Sequence, residues 1–269
     1  MGIIKSMKIG IFDSGVGGLI MTRAIVDTLP KYDYIYLGDT KRVPYGPRSQ
    51  KEVFQFLKEG VQYLFEKECT LIIVACNTAS ARALRKVQQT YLPKYFPDRR
   101  VLGVIIPTAE EVSTAKRIGI IATAGTVKSG TYALEIQKLN PPAVIFQQAA
   151  PLLVEYIEKG DMKRAEKALE TYLKPLIAKK IDTLILGCTH YPIVKNVARK
   201  IIGPHVRVIS QDECIPQKTA EYLNRHPEIE TMLSKKRHRS ICLTKETKTI
   251  DVLAARWFGK KIKIEKVKI

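Results

Sequence analysis

The chain contains no hydrophobic run long enough to cross a membrane. Its 269 residues are 45% hydrophobic, but the apolar runs fall far short of the roughly 20 residues that a membrane-spanning helix needs. Asp13 interrupts the first apolar segment, so the amino terminus does not have the form of a secretory signal. These absences predict a cytoplasmic protein with a substantial buried core and no membrane partner.

Cysteine is scarce and follows no paired spacing. There are five cysteines, an odd number, and no Cys-x-x-Cys occurs: Cys69, Cys76, Cys188, Cys214 and Cys242. This pattern argues against a disulfide framework and for reduced thiols. The spacings of histidine and cysteine match no zinc signature, so no metal is expected.

Acidic residues are few in comparison with basic ones. The chain has 26 Asp and Glu against 45 Lys and Arg, a net charge of +19. Such an excess can indicate a nucleic-acid partner. The basic residues are dispersed, however, and the one dense run, residues 235–239, carries no aromatic-interleaved RNA motif. We therefore favour a solvated, lysine-rich surface, expect no nucleic-acid partner, and expect a modest attraction for anionic substrates.

A complete dinucleotide-binding fingerprint is also lacking. The first predicted strand, Ile9 to Phe12, is followed by residues 13–18, whose Gly-x-Gly-Gly pattern lacks the last spacing of that motif. Asp13 would also repel a phosphate. We expect a turn that exposes Asp13 and Ser14 at the end of a strand, and no cofactor.

Two short stretches of the chain resemble each other. Leu71 to Val74 precedes Cys76, and Leu184 to Leu186 precedes Cys188. Apolar runs too short for a helix are typical of strands buried on both faces. Both cysteines would then lie just past the carboxyl end of a strand, where open α/β sheets place their ligands.

A second pair of stretches repeats at nearly the same distance. Residues 9–14 align with residues 118–123, an offset of 109, while the two cysteine strands are offset by 112. Two nearly equal offsets indicate an internal duplication. We predict an α/β fold of two pseudo-symmetric, doubly wound lobes with the active site in the cleft between them.

The predicted pseudo-two-fold axis places Cys76 opposite Cys188, and Ser14 opposite Thr123. A racemase removes a proton from one face of a carbon and returns one to the other face, and two opposed thiols can act as base and acid. A carboxylate that gains charge needs nearby donors, and the candidates are Ser14, Asn77, Thr78, Thr123 and Thr189. For Cys69, Cys214 and Cys242 we favour simple packing.

At these residues the chain resembles glutamate racemase, the cofactor-independent enzyme of the aspartate/glutamate racemase superfamily. The matching motifs span nearly the whole chain in the family order and are jointly specific: residues 13–19, 38–40 with 44–46, 75–79, 125–127 and 187–192.

The resemblance implies a role for each matched residue. Cys76 and Cys188 would be the acid/base pair, with Cys76 acting on the D-enantiomer and Cys188 on the L-enantiomer. Asp13 and His190 would assist the thiols, and Glu158 would be the assisting acid, with Glu155 as the alternative. The residues that would hold substrate are Asp13, Ser14, Pro44, Tyr45, Gly46, Asn77, Thr78, Thr189 and His190.

The resemblance also implies an organisation and a setting. The first lobe would comprise residues 1–99 and 207–269, and the second residues 100–206. The enzyme would be a homodimer that supplies D-glutamate to peptidoglycan synthesis. An aspartate racemase or another two-thiol isomerase remains the alternative, whereas a one-thiol decarboxylase is disfavoured because both cysteine positions are filled.

Overall fold

Ten β-strands are found in the computed structural model, which describes residues 7–259 and 263–269. The strands are β1 Lys8–Asp13, β2 Tyr34–Gly38, β3 Cys69–Val74, β4 Arg100–Gly103, β5 Arg117–Ala122, β6 Val144–Ala149, β7 Thr183–Gly187, β8 Arg207–Ser210, β9 Arg239–Leu243 and β10 Ile264–Lys266.

Thirteen α-helices connect and follow these strands within the described residues. They are α1 Gly18–Thr28, α2 Gln50–Glu66, α3 Asn77–Ala79, α4 Leu92–Tyr95, α5 Ile105–Glu110, α6 Ala124–Ser129, α7 Thr131–Leu139, α8 Leu153–Glu158, α9 Met162–Ala178, α10 Lys195–Ile202, α11 Gln211–Arg225, α12 Pro227–Glu230 and α13 Lys248–Trp257. Two π-helical turns, Ser80–Leu84 and Val87–Tyr91, lie between α3 and α4, and a 3₁₀ turn, Tyr191–Val194, precedes α10.

The strands form two parallel sheets with the same internal order. The first sheet runs β10-β9-β2-β1-β3-β4 and the second runs β6-β5-β7-β8. In the first, Ile9 pairs with Leu71; in the second, Ile118 pairs with Thr183. The registers therefore match at the offsets of 109 and 112 seen in the sequence. The predicted two pseudo-symmetric, doubly wound α/β lobes are confirmed.

Alternating side chains of the central strands enter different hydrophobic clusters. Ile9 and Ile11 of β1 pack in one cluster, while Phe12 packs in another with Ile72 and Val74 of β3. Since side chains alternate across a strand, both faces of the sheet are covered by helices. This accounts for the nearly continuous apolar runs of the central strands.

Strand pairing shows where the chain passes from one sheet to the other, near both predicted lobe boundaries. β4 pairs with β3 of the first sheet, and β8 pairs with β7 of the second. The predicted break at residue 100 comes just before β4, which still belongs to the first sheet. The predicted break at residue 207 comes at the start of β8, which still belongs to the second sheet. The chain therefore passes between the sheets after Gly103 and after Ser210. Residues 1–6 and 260–262 of the predicted first lobe lie outside the described residues.

Within the described part of the chain, the model has no helix whose length and apolar character would let it cross a membrane.

Candidate active site

The candidate site lies at the carboxyl ends of the central strands of both sheets. Asp13 ends β1, Cys76 follows β3, Thr123 follows β5 and Cys188 follows β7. Open parallel sheets bind ligands at such positions, because neighbouring connections diverge there and leave a crevice. Both thiols are shielded, with Cys76 at 5% and Cys188 at 6% exposure. The structure thus places the two predicted thiols near each other, since the charge of Cys188 acts on Cys76.

Cys76 is held as a neutral thiol. It caps α3, where its Sγ accepts the N–H of Ala79 at 3.4 Å and its S–H donates to the Ser14 hydroxyl at 3.3 Å. Burial, together with the charges of Asp13 and Cys188, raises the pKa of Cys76 to about 12, although the hydrogen bonds with Ser14 and Ala79 oppose the rise. At neutral pH Cys76 is therefore a proton donor in the absence of substrate.

Cys188 lies beside a histidine and a carboxylate. Its Sγ is 3.8 Å from His190 Nδ1, and His190 Nε2 is 2.9 Å from Glu158 Oε1. Burial lowers the pKa of His190, but the hydrogen bonds with Cys188 and Glu158 outweigh it and bring the pKa to about 10. A protonated imidazole beside Cys188 stabilises negative charge on that sulfur.

Glu158 and Glu155, the two alternative assisting acids, make different contacts. Glu158 ends α8 and reaches His190, while Glu155 is exposed and pairs with Lys159 at 2.5 Å. Both lie on the same short helix, and only the direction of the side chain distinguishes them. The geometry therefore favours Glu158 as the partner of the histidine.

Asp13 presents an unused acceptor to the site. The side chain is 1% exposed, and its Oδ2 accepts the N–H of Gly15 at 3.0 Å. Its Oδ1 has no hydrogen-bond partner in the described structure. Burial raises the pKa of Asp13, whereas His190 and the backbone N–H groups of Gly15 and Gly18 act in the opposite direction. A buried carboxylate oxygen without a partner is a natural acceptor for a ligand ammonium.

Three threonine hydroxyls join the lobes next to Cys76. Thr78 Oγ1 lies 2.9 Å from Thr123 Oγ1 and 3.3 Å from Thr126 Oγ1, and the latter two lie 3.0 Å apart. Thr126 belongs to a matching motif of the sequence, but it was not predicted as a site residue. The cluster is well placed to supply hydroxyl donors in the cleft.

Tyr45 is directed differently from the expectation. Its ring is buried between Phe12 and Phe56, and its hydroxyl donates to Asp39 Oδ2 at 2.6 Å. The phenol therefore anchors its loop, and only the backbone of Tyr45 and Gly46 is left to meet a ligand. A Cβ built on Gly46 would lie 3.8 Å from Thr123 Cβ, which places Gly46 against the second lobe.

The remaining predicted residues differ in their surroundings. Asn77 is buried next to Cys76, but its side-chain amide is engaged by Gln211 and Tyr132. Thr189 follows Cys188 directly and is buried. Pro44, which precedes Tyr45, is exposed. Substrate contact at Asn77 would therefore use its backbone N–H.

Trp257 is a residue near the site that the sequence analysis missed. It is the only tryptophan of the chain, ends α13 and meets the His190 ring edge-on, with centroids 5.5 Å apart. Nothing local in the sequence indicates this contact, because α13 lies far from His190 along the chain. Together with Glu158, Trp257 fixes the plane of the imidazole.

A cavity of about 510 Å³ lies away from the thiols. It is lined by residues of the π-helical turn Ser80–Leu84 and of α5, α7 and α11, and by none of the predicted site residues. Among residues 7–259 and 263–269, no cluster of three or more His, Cys, Asp or Glu side chains is placed to bind a metal ion.

Glu158→Gln is expected to lower the pKa of His190 from about 10, because the variant removes the carboxylate that favours the imidazolium. A raised histidine pKa contributes stability that is fully present below the unfolded value near 6.5 and is lost as pH rises through the folded value. The stability advantage of the wild type should therefore be largest below pH 6.5 and disappear above about pH 10.

NMR titration of the imidazole and urea unfolding at several pH values measure these two effects. Glu155→Gln on the same helix is the matched control, since the Glu155 carboxylate is exposed and pairs with Lys159. An unchanged His190 titration in Glu158→Gln would contradict the assignment.

Comparison with known proteins places the same architecture in a family. The family model described as "Asp/Glu/Hydantoin racemase" matches residues 9–214. A protein of Persephonella marina named glutamate racemase is 40% identical over 268 residues, which cover 98% of each chain.

Solved structures agree with this comparison. Glutamate racemase isoform RacE1 of Bacillus anthracis has a TM-score of 0.89 and 33% identity, with 98% of each chain covered. Glutamate racemase of Francisella tularensis, solved in complex with D-glutamate, has a TM-score of 0.88 and 31% identity, also with 98% of each chain covered.

Proposed function

Because the chain belongs to the Asp/Glu/Hydantoin racemase family, we propose that it interconverts L- and D-glutamate without a cofactor, using Cys76 and Cys188 as the acid/base pair. The observation that carries the proposal is the pair of buried thiols at corresponding strand ends of the two lobes. The names and full-length similarity of the relatives support glutamate as the substrate.

The reaction requires two proton transfers at opposite faces of the α-carbon. With L-glutamate, the Cys188 thiolate takes the α-proton and becomes a thiol, and the electron pair remains on the substrate as a carbanion. The Cys76 thiol then gives its proton to the other face and becomes a thiolate. The reverse reaction exchanges the roles, and each positioned group contributes by general acid–base catalysis.

The surroundings of the thiols suit these roles. The imidazolium of His190 stabilises the Cys188 thiolate that begins the reaction with the L-enantiomer. Cys76, whose pKa is raised to about 12, starts that direction as an acid. To act on the D-enantiomer it must first lose its proton. The N–H of Ala79 favours the thiolate, and the Ser14 hydroxyl, which accepts from the neutral thiol, can turn to donate to the thiolate.

The substrate would be held by groups from both lobes. The free Oδ1 of Asp13 would accept the substrate ammonium, which would also offset the effect of the Asp13 charge on Cys76. Hydroxyls of Thr78 and Thr123, together with backbone N–H groups after the strand ends, would bind carboxylate oxygens. Donors that follow the carboxylate as it gains charge lower the barrier to the carbanion.

The proposed setting follows from the family resemblance. A reduced cytoplasmic compartment keeps both thiols available, and D-glutamate would enter peptidoglycan synthesis. We include a homodimer in the proposal on the same ground.

The basic run at residues 235–239 gives little support to a nucleic-acid function. Arg239 donates to the carbonyls of Pro30 and Tyr32, and Lys235 pairs with Glu230. These intramolecular contacts occupy the charged groups of Lys235 and Arg239, two members of the basic run.

The proposal predicts that the purified protein converts L-glutamate to D-glutamate in deuterated water and places deuterium at the α-carbon. Chiral chromatography and mass spectrometry measure both products. Parallel rates on aspartate separate the alternative substrate, because an aspartate racemase would turn over aspartate faster. Absence of both D-glutamate and α-deuteration would contradict the proposal.

A further inference from the structure

A buried hydrogen-bond network joins the lobes at the turn that carries Cys76. Asn77 comes from the first lobe and Thr108 of α5 and Tyr132 of α7 come from the second, while Gln211 begins α11 where the chain crosses back from the second sheet, directly after Ser210. Asn77 is 3% exposed and the other three side chains are fully buried. The proposed proton transfers do not use Thr108, Tyr132 or Gln211, so the network has a different role.

The Gln211 amide lies at the centre of the network, and its Nε2 is also 3.1 Å from Asn77 Oδ1. Thr108 donates its hydroxyl proton to the Val104 carbonyl at 2.6 Å, and Tyr132 donates to Asn77 Oδ1 at 2.7 Å. Both hydroxyl oxygens are then acceptors for Gln211 Nε2, at 3.1 and 2.9 Å. In return, Gln211 Oε1 accepts from Asn77 Nδ2 at 2.7 Å.

Such a network resists displacement. Each broken bond would leave a buried polar group without a partner, which costs much more than the same loss at a surface. Asn77 follows Cys76 directly and begins the turn that Cys76 caps. A shift of the Asn77 amide would therefore move the Cys76 sulfur relative to the second lobe, where Cys188 lies.

We propose that Gln211 is a positioning residue, whose amide locks Asn77 to the second lobe and so fixes the separation of Cys76 from Cys188. The proposal rests on the two-thiol function given above. Misplacement of a reacting group by about 1 Å can cost about 10²-fold in rate. Gln211→Ala is accordingly expected to reduce kcat/KM about 10- to 100-fold in both directions.

Isotope effects distinguish positioning from a loss of folded protein. A smaller folded fraction lowers kcat equally in both directions and leaves KM and the isotope effects unchanged. A displaced Cys76 makes proton transfer at that sulfur slower. The primary isotope effect should therefore rise for α-deuterated D-glutamate, which Cys76 deprotonates, and fall for α-deuterated L-glutamate.

Two further variants complete the kinetic experiment. Gln217→Ala is the matched control, because Gln217 is exposed on the same helix, and it should keep wild-type kinetics. Tyr132→Phe removes a single hydroxyl from the network with little change in volume. It should shift the isotope effects in the same direction as Gln211→Ala, and the two substitutions should be less than additive.

Hydrogen–deuterium exchange tests, without reference to activity, whether Gln211 holds Asn77 in place. The amides of residues 77–84 should exchange faster in Gln211→Ala than in the wild type or Gln217→Ala. If the wild type does not racemise glutamate, the proposed function fails, but this measurement still shows whether Gln211 holds Asn77 in place. Unchanged exchange, or equal losses of kcat with unchanged isotope effects, would overturn the positioning role.

Discussion

Cys76→Ala and Cys188→Ala are each expected to lower the racemisation of glutamate by about 10²- to 10⁴-fold, the contribution of a positioned acid or base. Each variant lacks the thiol that serves one face of the α-carbon, so neither direction can be completed. Polarimetry or chiral chromatography, started from each enantiomer, measures the loss.

The remaining thiol provides a second readout. Cys76→Ala keeps Cys188, which should still exchange the α-proton of L-glutamate with deuterated solvent without forming D-glutamate. Cys242→Ala is the control, since Cys242 is buried on β9 beside Tyr63 and has no place in the proposed reaction. A Cys76 or Cys188 variant that kept more than a tenth of wild-type activity would refute the two-thiol assignment.

Gly17→Ala is expected to reduce kcat by about 10²-fold through displacement of His190. A Cβ at Gly17 would lie 2.3 Å from His190 Cε1 and 2.4 Å from its Nδ1. The backbone of Gly17 has helical dihedral angles, which alanine adopts readily, so the effect comes from the contact with the ring. The imidazole has little freedom to move because Glu158 and Trp257 hold it.

The loss should fall mainly on the step at Cys188. The primary isotope effect for α-deuterated L-glutamate should rise, and the NMR titration of His190 should change. Gly15→Ala is a milder comparison, because a Cβ there would meet Val43 Cγ1 at 3.3 Å, and the exposed Val43 side chain can move. Wild-type turnover of Gly17→Ala with an unaltered His190 titration would show that the close approach has no part in catalysis.

Most of the fold was accessible from the sequence because its signals are local. Buried strands such as Leu71 to Val74 appear as short apolar runs, and the repeat offsets indicated two lobes whose registers match in the structure. The predicted break at residue 100 was placed after a stretch that contains Pro93 and Pro97, and it falls a few residues before the chain leaves the first sheet. Hydrogen bonding of β4 to β3 is a long-range property that this stretch does not reveal.

The candidate site was predictable where residue type and position suffice. Cys76 and Cys188 stand out in the sequence as thiols that follow buried strands, and the structure has each of them after such a strand. The direction of a side chain requires the packed fold: Tyr45 turns toward Asp39 rather than the cleft. Contacts such as that between Asn77 and Gln211, 134 residues apart, have no local signature at all.

The shielding of both thiols has a consequence for the enzyme between turnovers. In the proposed reaction, conversion of L-glutamate to D-glutamate would leave Cys188 with a proton and Cys76 without one, so the free enzyme after product release would differ from the one that bound substrate. The starting form returns only when protons pass between the sulfurs and solvent, with Ser14 and His190 as the neighbouring relays. Because both cysteines are buried, this recovery should limit turnover at high substrate concentration, where the protonation state of the free enzyme would depend on which enantiomer it last released.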